Sequence, residues 1–177
     1  MLPEKQSAYR RFHSTETAIL EVLSEAYAAA DGGRVTLLGL LDQSAAFDCV
    51  DHRILCDRLR YNFGLTGNTL NWICSYLSDR SQFVHYNGKY SKTRKILYGV
   101  PQGSVLGPLF FLLYTVDLFK IVDKHGLNSH GYADDLQIFG HAETEQAGTS
   151  ILRFSNCIDE LKSWMALNLL RLNPMKT

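Results

Sequence analysis

Apolar and polar positions along this chain follow two periods, and each block predicts one element. After "HST", Ala18, Ile19, Val22, Leu23, Ala26 and Tyr27 recur at helical spacing. They predict an amphipathic helix that Ser14 or Thr15 caps and Gly32-Gly33 ends. "RVTLLGLLD", Arg34 to Asp42, is almost continuously apolar and predicts a buried strand that finishes on a carboxylate. Two further helices are expected at about 51–61, with Asp51 as N-cap, and at about 68–77. "SQFVHYNGKYSKTRKIL" predicts a hairpin turning at Asn87-Gly88, the pair that best tolerates two successive positive φ angles. A Gly/Pro-rich loop, "YGVPQGSVLGP", then feeds one apolar helix expected over about 109–122. "NSHGYADDLQIFG" predicts two short strands with Asp134 and Asp135 at their turn. A long helix over about 143–167 leads to a last strand in "NLLRLNP". Antiparallel strands mixed with helices in this order predict an α+β fold.

Composition narrows the picture. The 177 residues are 46% hydrophobic and 20% charged, which suits one domain with a real core. Lys plus Arg equals Asp plus Glu at 18 each, which argues against a grip on nucleic acid by bulk charge. A local track remains: Arg80, Lys89, Lys92, Arg94 and Lys95 fall in the predicted hairpin, with Phe83, Tyr86 and Tyr90 between them. That pattern fits a nucleic-acid backbone, and it also fits a solvated hairpin face. The four cysteines form no CxxC pair, and with no signal peptide they read as reduced thiols of an intracellular protein, nuclear or cytoplasmic. The longest apolar run, Val105 to Val116, is too short to span a bilayer, so no membrane role is expected. Trp72 and Trp164 lie on helical stripes and read as core. The chain opens almost directly in a helix and stops in an expected strand, as a piece of something larger would.

The candidate chemistry lies in the carboxylates. Asp42 ends one apolar strand, and Asp134-Asp135 sit at the tip of a hairpin. One carboxylate from each of two adjacent strands can meet at a sheet surface. Such a cluster does not ionise cheaply without a counter-charge, and oxygen ligands select a hard cation, Mg²⁺ or Mn²⁺. Two such ions would clamp an in-line phosphoryl transfer. Alone, a pair of aspartates is more simply a solvated turn.

Four motifs in order change that reading. "LLGLLDQSAAFDCVDH" precedes "GVPQGSVLGPLFFLLY", then "YADD", then "LRLNPMKT". Together they resemble the reverse transcriptase domain of non-LTR (LINE-type) retrotransposons, the jockey-like branch in particular. "EKQSAYRRFHSTETA" is similar to the segment just upstream of that family's palm, so the resemblance covers essentially the whole chain. It implies a polymerase palm, an antiparallel sheet with helices packed on one face, plus the base of the fingers. Residues 1–33 would be finger base and palm helix, and 34–177 the palm. The finger tips, thumb and endonuclease of a parent polyprotein would lie elsewhere.

The resemblance also implies roles. Asp42 and Asp134 match the metal-binding aspartates, Asp135 the accompanying carboxylate, and the backbone carbonyl of Gln43 a further ligand for two Mg²⁺ or Mn²⁺ ions. Phe47 matches the ring that excludes a 2′-hydroxyl under the incoming dNTP; read alone it is core. Gln102 and Gly103 of "PQGS" match the loop contacting nucleotide and template, and Lys176 a lysine that would protonate leaving pyrophosphate. Partners would be an RNA template, a DNA primer and dNTP. The activity implied is RNA-directed DNA synthesis, with an inactive or domesticated remnant as the alternative. Gln43 departs from the family's usual apolar residue. Strand alternation turns it away from the catalytic face, where a buried amide needs partners.

Overall fold

The computed structural model describes residues 3–177 and divides the chain into two units. The first joins the N-terminal residues through Ala46 to the segment Thr115–Thr177; the second is Phe47–Tyr114.

The first unit is built on a three-stranded antiparallel sheet: β1 (Val35–Leu41), β6 (Asn128–Tyr132) and β7 (Asp135–Ala142), in the order β1-β7-β6. Its register runs from Val35 opposite Ala142 to Leu41 opposite Leu136. Two helices, α5 (Asp117–Lys124) and α6 (Ala147–Leu167), cover one face. Their packing is tight where the sheet carries glycine. A Cβ on Gly39 would stand 2.9 Å from the Phe154 ring, and one on Gly131 would stand 2.7 Å from Phe119. Leu41, Leu136, Ile138, Leu161 and Met165 are buried in this layer.

The other face is only partly covered, by α1 (Thr15–Asp31). Of the two caps expected, Ser14 is the one that caps α1, in a reciprocal box with Thr17. The predicted apolar stripe is corrected, however. Ala18, Val22 and Ala29 are buried, whereas Ile19, Leu23 and Tyr27 are exposed. The reason lies in the sheet. It offers α1 the polar side chains Asn128, His130 and His141, so α1 turns Glu21 and Glu25 toward it. Small alanines allow that close approach, and the bulkier apolar residues are left outside. Beyond α1, Leu38 and Leu40 of β1 are half exposed, and of the strand expected to be buried only Leu41 is fully so.

The second unit carries α2 (His52–Tyr61), α3 (Gly67–Leu77) and a hairpin in two ladders. The Asp51 side chain caps α2 by accepting from Ile54 N. In the hairpin, β2 (Ser81–Gln82) pairs with β5 (Arg94–Lys95), and β3 (His85–Tyr86) with β4 (Lys89–Tyr90). Asn87 and Gly88 turn it with φ of 47° and 73°. Cys56 and Cys74 join α2 to α3 as a disulfide, their Cα atoms 6.3 Å apart, where the sequence alone reads two reduced thiols. Trp72, expected in the core, is 56% exposed and stacks on Tyr76.

Two further expectations change. The single apolar helix is two, α4 (Leu106–Thr115) and α5. Residues 110–114 of α4 are all buried, as suits a helix apolar on every side. The last strand is reduced to a bridge between Gln43 and Leu172, because Leu169 takes φ 55° and the chain turns again at Asn173.

Candidate active site

Chain order explains how the carboxylates meet. The β1–β7 register ends at Leu41–Leu136, and one step further sets Asp42 opposite Asp135. Both project from the face that α1 leaves open. With Leu40, Gln137 and Lys176 they line a cleft of about 320 Å³. Asp134 stands beside them in the two-residue turn that joins β6 to β7, since Tyr132 pairs with Asp135. Asp42 and Asp134 are half-buried and Asp135 is exposed.

The electrostatics match that crowding. Partial burial, then the charges of Asp134 and Asp42, push the Asp135 carboxyl above its ordinary range, while Lys176 pulls it down. Burial and the Asp134 charge likewise push up the Tyr9 phenol. Asn173 holds the first carboxylate: its Nδ2 donates to Asp42 Oδ2 at 2.9 Å, and its backbone N–H to Asp42 O at 2.8 Å. The Gln43 side chain is buried, and its Nε2 donates to Asp134 O at 3.0 Å. The amide that alternation turns away from the open face thus has a partner on one end; Oε1 has none among the described residues.

The donors suit a hard cation, because every carboxylate here is an oxygen ligand and their mutual repulsion calls for positive charge. Among the described residues, however, no three carboxylate, thiol or imidazole side chains stand together as a set able to hold a metal ion.

In the second unit, the Phe47 ring packs on Phe111 with centroids 4.6 Å apart and remains half-buried. Gln102 and Gly103 are exposed, and Gln102 Nε2 donates to Asp48 Oδ1 at 2.9 Å. Asp48, Gln102, Arg80 and Gln82 line a polar cleft of about 640 Å³. Arg80 donates to Gly99 O at the base of the hairpin. Lys89, Lys92, Arg94 and Lys95 lie on the hairpin itself, where every residue from 81 to 95 is exposed.

Comparison with known proteins decides the family. The family model described as reverse transcriptase (RNA-dependent DNA polymerase) matches residues 1–177, the whole chain. The chain belongs to the reverse transcriptase family. It is 30% identical over its full length to a probable RNA-directed DNA polymerase from transposon BS of Drosophila melanogaster, covering 20% of that protein. It is 28% identical to the RNA-directed DNA polymerase from mobile element jockey of the same species, with 99% of the chain and 19% of the relative covered. The chain thus spans about a fifth of the length of these relatives. Among solved structures, apo telomerase of Candida tropicalis truncated from its C-terminal domain superposes with a TM-score of 0.67 at 16% identity. That match covers 97% of this chain and 35% of the telomerase chain. The likeness is one of fold, an α+β polymerase domain.

Against this reverse transcriptase fold, sequence reasoning missed Gln6, Tyr9 and Asn173. Each stands in a segment that carried the resemblance, "EKQSAYRRF" or "LRLNPMKT", yet none has a residue type that advertises chemistry. Only their hydrogen bonds and neighbours reveal them. No helix among the described residues is long and apolar enough to cross a membrane.

Proposed function

We propose that this chain is the palm segment of an RNA-directed DNA polymerase of a non-LTR retrotransposon. It would join a dNTP to a primer 3′-hydroxyl on an RNA template. One observation carries the reading: strand register, turn and C-terminal segment bring Asp42, Asp134, Asp135 and Lys176 to one open corner, in a chain matched end to end by the family model. Asp42, Asp134 and Asp135, with the Gln43 carbonyl, are the groups that would hold two divalent cations. When bound, the ions would neutralise the triphosphate and activate the primer hydroxyl.

The chain's own residues do the positioning. Asn173 fixes one Asp42 oxygen, leaving the other for the open cleft. Lys176, exposed beside Asp135, would give a proton to departing pyrophosphate. Phe47 would exclude a 2′-hydroxyl by bulk, since an aromatic ring braced on Phe111 does not yield. Gln102, oriented by Asp48, and Gly103, exposed with φ 76°, would contact nucleotide and template. The hairpin cations would follow the nucleic-acid backbone. Finger tips, thumb and endonuclease would come from the remainder of a parent polyprotein.

A second reading is a remnant that binds nucleic acid without catalysis. Titration with Mn²⁺ separates the two. The enzymatic reading expects a saturable site that Asp42→Asn and Asp134→Asn each remove. No saturable site, or one indifferent to both substitutions, overturns it. Primer extension with Mg²⁺ on an RNA template is expected to be weak for this chain.

A further inference from the structure

The turn that carries Asp134 is not self-supporting. Ala133 takes φ 57°, the left-handed region where a Cβ crowds its own backbone and where glycine or asparagine is the usual occupant. Something outside the turn must hold it there. Two glutamine side chains from distant parts of the chain do so.

Gln6 is the first. It lies on an N-terminal segment that bridges to the edge of β6 at Gly131: Ser7 N donates to Gly131 O at 2.9 Å, and Gly131 N to Lys5 O at 2.8 Å. Only 2% exposed, Gln6 spends its whole carboxamide locally. Oε1 accepts from Ala8 N at 2.9 Å and from Ala133 N at 3.2 Å, while Nε2 reaches Ala133 O at 3.4 Å. Both backbone groups of the strained alanine are thus addressed by one side chain. Gly131 makes room for it, since a Cβ there would stand 2.9 Å from Gln6 Nε2.

Gln43 is the second. It directly follows Asp42, and its Nε2 donates to the carbonyl of Asp134 itself. One residue therefore joins the strand end bearing the first carboxylate to the turn bearing the second. A purely stabilising side chain here would be apolar, because the buried Oε1 of Gln43 has no donor among the described residues.

We infer that Gln6 and Gln43 are positioning residues, whose carboxamides clamp the Ala133–Asp134 turn and so set where the Asp134 carboxylate stands relative to Asp42. Gln43 on this account adds a tie between the two carboxylate-bearing elements. The inference rests on the reading of Asp134 as a reaction carboxylate, but half of its test does not.

The test uses methionine, which matches glutamine in length and lacks the donor and the strong acceptor. Nuclear magnetic resonance of the full 177-residue chain reads the clamp directly. In Gln6→Met the Ala133 amide should exchange about tenfold faster, while β1–β7 ladder amides such as Ile138 keep their rate. In Gln43→Met the carbonyl ¹³C resonance of Asp134 should move, and the thermal midpoint should stay or rise. Mn²⁺ titration reads the consequence. Each substitution should weaken binding about threefold or more, without loss of fold. Unchanged Ala133 exchange and an unchanged Asp134 resonance would overturn the clamp. So would ladder exchange and midpoint falling in step with affinity, which is plain destabilisation. An altered turn with unaltered Mn²⁺ affinity would overturn the positioning role. Wild-type protein that takes up no Mn²⁺ would sink the proposed function, and the resonance readouts would still decide the clamp.

Discussion

The corner around Asp134 and the hairpin between residues 81 and 95 would both meet nucleic acid, and they are built in opposite ways. At the corner the supporting groups are buried or half-buried: Asn173 donates to the Asp42 carboxylate, while Gln6 and Gln43 hold the backbone of the Ala133–Asp134 turn. On the hairpin every residue is exposed, and the two short ladders are linked through Ser91 to Val84. On the proposed function the carboxylates would share a cation and would have to be held within tenths of an ångström, which buried, hydrogen-bonded supports suit. Cations that follow a phosphate backbone need only be present and mobile, so a solvated ribbon suffices. The hairpin's exposed aromatic pair, His85 on Tyr90 with ring centroids 4.4 Å apart, adds a stacking surface of the same tolerant kind.

The contrast can be broken most forcefully at the carboxylates. Asp134→Asn keeps the shape of the turn and removes one full charge, so the Mn²⁺ site should disappear while the thermal midpoint holds or rises. Retained binding, read by the same titration, would mean that the corner's rigidity serves something other than a cation. Next in size is Gly131→Ala. The added methyl meets the Phe119 ring at 2.7 Å and Gln6 Nε2 at 2.9 Å, and overpacking of that kind costs about 1–3 kcal/mol. Denaturant unfolding should register that loss. Gly88→Ala is the matched change on the hairpin, where φ is 73° but the space is open. It strains the turn by about 1 kcal/mol, and because the hairpin is exposed the midpoint should not move.

A smaller effect belongs to the hairpin alone. Residues 80–95 contain no Asp or Glu, so nothing there offsets Lys92, Arg94 and Lys95. Replacing those three by Ala should weaken single-stranded RNA binding and flatten its salt dependence by about 0.7 in slope for each phosphate left without its cation. Binding that weakens without a change in slope would make the hairpin a stacking surface rather than an electrostatic one.

Periodicity and punctuation carried much of the fold into view. The Ser14 cap, the Asp51 cap, the Asn87-Gly88 turn and the two strands flanking Asp134-Asp135 are local devices, each decided within a few residues, and all stand where the sequence places them. What was hidden depends on what lies opposite. The outward side of α1 looked like a core stripe because its apolar residues are the larger ones, and only the histidines of the sheet explain why glutamates face inward. Leu38 and Leu40 looked buried because an edge strand reads like a central one until its neighbours are known. The carboxylates were legible through motif order. Of the groups that hold them, Gln43 was visible as a buried amide in need of partners, but its partner was not, and Gln6 and Asn173 were not visible at all, since all three act through hydrogen bonds that span 91 to 131 positions of sequence.

The finest probe of the corner is its titration. Burial first, and the neighbouring Asp134 and Asp42 charges second, raise the Asp135 carboxyl above its ordinary value of 3.8. The folded state therefore binds that proton more tightly than the unfolded chain, and stability falls as pH rises from 3.8 through the raised value, with the penalty complete above it. The loss is expected to be below about 1 kcal/mol, because Asp135 is exposed and solvent screens the repulsion. Asp135→Asn should abolish that fall, and Lys176→Met should enlarge it, since the lysine offsets the crowding. Thermal midpoints of the three proteins across the acid range decide the matter. Superimposable profiles would mean that the carboxylates do not feel one another, and the rigid corner would then differ from the hairpin in packing but not in charge.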